Sequence, residues 1–453
     1  MTSLTRNLLS GSAWALGGKV VTTICGLLVT ALLARLLAPE AMGAYFLTLS
    51  LVSISAIVAQ LGLGQAVVRL IAESLGTDRP ERARKAAITT VGLGLAGIAF
   101  VGGVLGLGAG AWLTERVFGS AEMVGVMGLA PLWLAVIAAP TLLAEIFRGH
   151  HDIRLATVFS GALTSLLSAL LFGALWLAQG HSNLSEVVTL SITAGFTNTL
   201  VAGLLMWRRL APFGEAAGKG SDSRIAALEI WVIAWPLWLT GLLLFALTQA
   251  DLWILGIYRT PNELAAYGAA ARLVKAIGTP LFVANAVLPP VIAEMYAQGR
   301  KQELQQVLRA TATVAGIPTV AVLIVFVVFG APILGLVYGD FYRTGATVLV
   351  LLSLGHLVNA AAGPCGLVLM LTGHQMAMFR ISLLSGVLAL LGMLWAAPRY
   401  GPVGIAAAAA TGMTLQNLLM LVTAHRRMQI WTHVDLRHLL AIPVVFRALR
   451  RSK

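Results

Sequence analysis

The stretch PEAMGAY (Pro39–Tyr45) returns as PNELAAY (Pro261–Tyr267), 222 residues further along the chain. Three more echoes follow in the same order at almost the same offset. Ile71-Ala72-Glu73 recurs as Ile292-Ala293-Glu294, Val117-Phe118-Gly119 as Val337-Tyr338-Gly339, and Gly149-His150 as Gly373-His374, at offsets of 221, 220 and 224. One short match can arise by chance. Four in register mark a chain built twice, and its fold has to be read from that repeat first.

Hydrophobic residues make up 58% of the 453 residues, charged residues only 11%, and mean hydropathy is +0.88. A water-soluble globule could not cover so much apolar surface, so the composition places the chain in a bilayer. A helical crossing takes about 20 mostly apolar residues. Twelve such runs occur, near residues 12–36, 42–69, 86–111, 123–147, 155–179, 187–207, 229–257, 262–294, 310–331, 344–370, 377–397 and 402–424. The eighth is long and contains Pro280, Pro289 and Pro290, which predicts a kink or a projection past the bilayer. The expected fold class is an all-α membrane protein with twelve transmembrane helices in two pseudo-symmetric six-helix bundles. The repeat offset covers an even number of crossings, so both bundles enter the membrane in one direction as a parallel repeat.

The formal net charge is +13, but the basic residues are distributed as membrane proteins distribute them, and no nucleic-acid partner is expected. With the amino terminus inside, only Arg35, Arg116, Arg259, Arg343 and Arg399 face outward. Lys19, Arg272 and Lys275 fall within runs, and the other Lys and Arg face inward. This bias predicts a multi-pass protein of the bacterial inner membrane with both termini cytoplasmic. Lys19 interrupts the first run and no small-residue cleavage site follows, so that run is read as a crossing and not a leader. Cys25 and Cys365 sit in apolar runs and read as small core residues, not as a disulfide framework.

RRLAPFGEAAGKGSDSR (Arg208–Arg224), rich in Gly, Ser and charge, marks the break between halves. The expected organisation is an amino-terminal lobe at 1–207, a cytoplasmic linker at 208–228, a carboxy-terminal lobe at 229–424 and a basic tail at 425–453. The tail's apolar run, Leu439–Phe446, is broken by Pro443 and too short to cross, which predicts an interfacial segment held by anionic headgroups. Two lobes that rock about a central cavity suit a transporter. The outer loops, longest around 112–122 and 332–343, leave no room for an extracytoplasmic catalytic domain.

Gly92, Gly94 and Gly97 fit GxGxxG but lie inside the third run without a preceding strand. No Walker A pattern occurs either, so no nucleotide cofactor and no ATPase is expected. Gly102, Gly106 and Gly110 form a small-residue ridge for close helix packing. His150, His151 and Asp152 share a short turn, yet adjacent histidines do not share a helix face, and no metal site is expected. Trp231, Trp235 and Trp238 lie along one face of the seventh run and read as packing or an interfacial belt. Gln60, Gln249, Asn285, Asn359, Gln416 and Asn417 read as interhelical hydrogen-bonding residues.

The charges inside the runs are the sharpest functional signal, because a lone Arg or Lys near the bilayer centre costs on the order of 3 kcal/mol or more. Arg272 and Lys275 are three residues apart, project from one face of the eighth run and lie at mid-membrane depth. As a cationic patch they would hold an anionic headgroup such as a diphosphate. The structural alternative is an ion pair with Asp251, at comparable depth across the hairpin. One acid cannot neutralise two bases, which favours a ligand. Lys19 either faces the cavity or snorkels to the inner surface.

Asn7, Trp14 and Gly17-Gly18, then LLARLLAPEAMGAYFL, then Asp251, Pro261, Tyr267 and Arg272 carry a resemblance. The chain resembles the bacterial polysaccharide flippases, the Wzx-like branch of the superfamily that also holds multidrug extruders and the lipid II flippase. The resemblance implies movement of a polyprenyl-diphosphate oligosaccharide to the outer leaflet by alternating access, without ATP and without enzymatic activity. It also implies a diphosphate held by basic residues of the first, second and eighth helices. Lys19, Arg272 and Lys275 match by helix, whereas the second run offers only Arg69 at its inner end. Lipid II flippases carry two further crossings that are absent here, which favours a surface-polysaccharide substrate. Implied partners are the lipid-linked oligosaccharide, membrane lipids, and a polysaccharide polymerase or glycosyltransferases. Asp251 is a candidate for ion coupling or for an ion pair.

Three other readings compete. A drug or metabolite extruder would want acidic residues in the cavity to attract organic cations, and here the mid-membrane excess is basic. A membrane enzyme of polysaccharide assembly lacks an acid-base constellation in the short outer loops. A scaffold would have little use for costly buried cations.

Overall fold

The computed structural model describes residues 3–210, 227–277, 288–289 and 291–435. The linker at 211–226, the kink around Pro280 with Pro290 and Asn285, and the tail from 436 with its run Leu439–Phe446 lie outside the described residues. Among the described residues every regular element is helical. In chain order these are α1 (Ser3–Leu36), α2 (Pro39–Gln60), α3 (Leu63–Gly76), α4 (Pro80–Val104), α5 (Gly110–Arg116), α6 (Ala121–Met127), α7 (Ala130–Gly149) and α8 (Ile153–Thr157). There follow α9 (Leu163–Gln179), α10 (Leu184–Leu210), α11 (Ala227–Tyr258), α12 (Pro261–Ile277), α13 (Lys301–Tyr338), α14 (Ala346–Ala362), α15 (Cys365–Leu371) and α16 (Gln375–Met428). They form two compact units, Thr2–Gln249 and Ala250 onward, and the boundary falls inside α11.

Among the described residues, nine helices are long and apolar enough to cross a membrane, and the bent α11 makes a tenth. α16 supplies two crossings. Its 54 residues would stretch about 81 Å as one rod, far beyond a hydrocarbon core about 30 Å thick. Gly401 breaks it with φ 57°, a conformation that glycine takes without a Cβ penalty. The halves fold back on each other: a β-carbon on Gly412 would strike Ala389, and one on Gly392 would lie 3.4 Å from Ala408. Pro402 has no N–H for the Pro398 carbonyl, and Arg259 takes its place. Its Nη2 donates to Pro398 O and its Nε to Ala397 O, both at 2.9 Å. With the partly described eighth run, the helices fit the twelve-crossing fold expected from the sequence.

The repeat is visible in the landmarks. Pro39 and Pro261 each open a helix, where a missing N–H costs nothing. Tyr45 and Tyr267, six residues in, are both buried, as are Ile71 and Ile292. Gly119 and Gly339 both take positive φ at the turns that follow long helices.

In the amino-terminal unit, Leu63, Val67, Ile71, Phe147 and Phe159 belong to one core, with the two phenyl rings stacked at 5.6 Å. Gly102 and Gly106 lie against Pro131, so the small-residue ridge does pack on the start of α7. Gly62, between α2 and α3, has φ 73° and abuts α11 at Ala234 O and at Trp238 N, 2.8 Å from where a β-carbon would sit. Trp238 is therefore a packing residue, while Trp231 and Trp235 are exposed as an interfacial belt would be.

In the carboxy-terminal unit, Leu304, Val307, Leu308, Val368, Leu369 and Met420 build the core, beside a buried Cys365. The chain leaving α16 is strapped onto it. Trp431 N donates to Gln305 Oε1 (2.7 Å), Thr432 Oγ1 to Ala362 O (2.7 Å) and Val434 N to Ala361 O (2.8 Å). Arg309 pairs with Asp435 at 2.9 Å and meets His433 Nε2 at 3.1 Å. His425 stacks on Trp431 with ring centroids 3.9 Å apart, and His433 lies edge-on to Trp431. Burial, and next the charge of Arg309, hold His433 below the ordinary imidazole value, with Asp435 opposing.

Two outcomes are expected. Gly62→Val should destabilise the amino-terminal unit by about 2–4 kcal/mol through left-handed strain and overpacking, read as a lowered melting temperature in detergent. Because the folded pKa of His433 is depressed, its contribution to the strap is complete above about pH 6.5 and is lost as pH falls through the folded value. Hydrogen exchange across 429–435, corrected for intrinsic rate, should rise about three- to tenfold between pH 7.5 and 5.5. His433→Gln should flatten that dependence.

Candidate functional site in the carboxy-terminal unit

α12 starts with a capping box. Glu263 Oε2 accepts from Thr260 N at 3.2 Å, and Thr260 Oγ1 accepts from Glu263 N at 3.4 Å. The small residues that follow let neighbours approach closely: Leu264 to Ala270 are all buried, and a β-carbon on Gly345 would lie 2.9 Å from Ala266 O. α12 packs against α14 and the turn at Asp340–Gly345. This fixed helix carries Tyr267, Arg272 and Lys275.

Asp251, on the last turns of α11, faces them. Tyr267 Oη donates to Asp251 Oδ2 at 2.8 Å, and Leu252 N donates to Oδ1 at 2.9 Å, so both carboxylate oxygens are engaged. The charges felt at Lys275 are those of Arg272 and Asp251. The structure thus brings together three of the residues singled out in the sequence, with Lys275 within electrostatic reach of both Asp251 and Arg272. Asp251 and Arg272 are half-buried and Lys275 is accessible.

Lys19 is an exposed residue of α1, in the amino-terminal unit. Arg69 is exposed on α3, also in that unit.

The cluster also holds polar groups that the sequence reading passed over. His356 on α14 lies within electrostatic reach of Lys275, and Tyr338 at the end of α13 within reach of Arg272. Tyr342 packs on Tyr338 with ring centroids 5.8 Å apart. Tyr338 Oη, Tyr342 Oη and His356 Nδ1 are buried without a hydrogen-bond partner. An imidazole in the apolar run LLSLGHLV could have been found by the argument that picked out Arg272, since a polar side chain in a crossing needs a reason. The tyrosines gave no such signal, because a phenol at a helix end is ordinary. Together these side chains offer guanidinium, ammonium and hydroxyl donors at one place, a set suited to a multiply charged oxyanion.

Known proteins share this architecture. The family described as "Polysaccharide biosynthesis protein" matches residues 8–296, and the family MatE matches residues 236–395. Among curated proteins, none matches in sequence. Solved structures that resemble it include an inward-facing multidrug resistance MATE family transporter of the MOP superfamily, with TM-score 0.73 and 14% identity over 90% of this chain and 94% of that one. The lipid II flippase MurJ, inward closed, has TM-score 0.65 and 14% identity over 96% and 90%. A MOP superfamily transporter from Pyrococcus furiosus, described as having a binding pocket of reverse polarity, has TM-score 0.62 and 14% identity over 93% and 95%. At such identities the likeness speaks for the fold, that of MATE transporters and of MurJ. The length of the first match decides the family: this multi-pass membrane protein belongs to the polysaccharide biosynthesis protein family.

Proposed function

We propose that the protein flips a polyprenyl-diphosphate-linked oligosaccharide from the inner to the outer leaflet of the bacterial inner membrane, for O-antigen, capsule or exopolysaccharide synthesis. The observation that carries this reading is the pair of cations, Arg272 and Lys275, within electrostatic reach of each other on one helix, with Asp251, itself engaged by Tyr267 and Leu252 N, beside Lys275. Guanidinium and ammonium groups side by side suit a diphosphate, which they hold through charge-assisted hydrogen bonds. The family's link to polysaccharide biosynthesis points to the same cargo.

Alternating access carries the headgroup across while the prenyl tail stays in lipid. With both termini cytoplasmic and an inside-negative potential, outward movement of an anion runs downhill by about 2.3 kcal/mol per charge per 100 mV. A doubly charged headgroup therefore needs no obligatory co-substrate, and Asp251 serves as the site where an ion or proton would couple. No cofactor enters the cycle. A polysaccharide polymerase and glycosyltransferases are the partners that consume and supply the cargo.

The MatE match over residues 236–395 and the likeness to multidrug transporters favour one second reading, export of organic cations by antiport. A cation cargo would meet Arg272 and Lys275 as repulsion.

The test is delivery of lipid-linked sugar to the outer leaflet in a strain lacking its own flippase. Arg272→Gln with Lys275→Gln should lower delivery at least about tenfold at equal membrane abundance, the loss expected for two charge-assisted contacts. Unchanged delivery removes both residues from the site. If the double variant exports a fluorescent organic cation better than the wild type does, the antiport reading replaces the flippase. Asp251→Asn should leave diphosphate binding within about threefold while removing any dependence of transport on a proton or sodium gradient.

A further inference from the structure

In the amino-terminal unit, α4, α7 and α10 enclose a half-open cleft of about 390 Å³, within the range of small-molecule sites. Its walls are apolar, with Leu95 and Leu142 among them, and its one charged lining residue is Arg84. Arg84 and Trp207 lie at one end of the lining along their helices, Ile98 and Thr199 at the other. From Arg84 to Ile98 is fourteen helical residues, about 21 Å, enough to cover one leaflet of a hydrocarbon core about 30 Å thick.

Arg84 is the telling residue. Its Nε is buried without a hydrogen-bond partner, while Arg82, one half-turn away, is already paired with Glu229. A buried guanidinium nitrogen left without an acceptor costs stability that a bound anion would restore. Trp207, 70% exposed at the same end, is an amphipathic ring of the kind that favours the boundary between headgroups and acyl chains. The site therefore pairs a leaflet-long apolar slot with a cation at its mouth, on the side where Arg79, Lys85 and Arg208 also lie and which the charge bias marks as cytoplasmic.

We propose that this cleft holds one acyl chain of an anionic membrane phospholipid, whose phosphate sits on Arg84. A headgroup with its own ammonium brings a second cation to the mouth and is disfavoured there. The inference is independent of what the protein transports, and its site lies wholly within one unit. Gly203 lines the slot, and a β-carbon there meets nothing within 4 Å, so a larger side chain can fill the cleft without a clash at its base.

The experiment is native mass spectrometry of the full-length protein in detergent, with palmitoyl-oleoyl phosphatidylglycerol, the matching phosphatidylethanolamine, or undecaprenyl phosphate added in equal amounts. The wild type should retain one phosphatidylglycerol roughly tenfold more than phosphatidylethanolamine, and Arg84→Gln should abolish that preference. Gly203→Leu should lower retention of both phospholipids while shifting the melting temperature by no more than about 2 °C. Arg84→Gln, a surface-end change that leaves packing intact, carries the test by itself if Gly203→Leu does not fold. Equal retention of phosphatidylglycerol by wild type and Arg84→Gln would overturn the proposal. Retention of undecaprenyl phosphate in preference to phosphatidylglycerol would overturn it too, since the cleft would then belong to the carrier lipid.

Discussion

Hydrocarbon offers no partner to an amide, a hydroxyl or a charge, so each polar atom in a crossing must find its partner within the protein. The helices meet this demand locally wherever they can. Thr48, Ser55, Ser74, Thr319 and Ser353 return their hydroxyl protons to the carbonyl four residues earlier, at 2.6–2.9 Å. Where a helix has to break, the partner comes from farther away. Arg259 reaches the carbonyls stranded by Gly401 and Pro402, from a residue distant in sequence, and so a single turn of chain can join two crossings. Gln60 bridges to Thr141 at 2.8 Å and Gln416 to Ser382 at 3.2 Å, binding neighbouring helices together.

The same constraint sets the character of the charged cluster. Asp251 is satisfied by Tyr267 and by a backbone amide, which fix the orientation of the carboxylate, and its single charge can balance only one cation. Burial of Tyr338 Oη, Tyr342 Oη and His356 Nδ1 without partners adds to the unmet demand at one place in the carboxy-terminal unit. Stable cores concentrate satisfied polar groups, and sites concentrate unsatisfied ones.

Much of this architecture was legible in the sequence because the bilayer imposes a period on composition. Runs of about 20 apolar residues announce crossings whatever their packing, and the repeat of PEAMGAY as PNELAAY marks two homologous helix starts. Arg272, Lys275 and Asp251 were legible for the same reason, as charges in places where charge is costly. Composition could not give partners. That Tyr267 would engage Asp251, or that His356 would approach Lys275 across 81 residues of chain, depends on which faces pack, and apolar runs carry little directional signal when all sides are apolar. The strap at 429–435 was hidden differently: its order comes from backbone and side-chain contacts to α13 and α14, while its composition reads as a loop.

The duplication itself bears on whether the charges are scaffold or site. At an offset of 222, Asp251, Arg272 and Lys275 correspond to Val29, Ser50 and Ser53 of the first repeat, and Tyr338 corresponds to Phe118 at the offset of 220. Tyr45, the counterpart of Tyr267, packs its ring against Phe46 and Trp133. Ser53 satisfies itself on Leu49 O at 2.6 Å. The first repeat thus builds the same helix start, with the same proline and the same buried tyrosine, and has Val29, Ser50 and Ser53 where the second has its charges. A scaffold that stands without the charges in one copy does not require them for folding in the other, where each carries a desolvation cost on the order of 3 kcal/mol. Such a cost persists only where something other than folding makes use of it, and in the carboxy-terminal unit the binding of an anion is the use we propose for the charges.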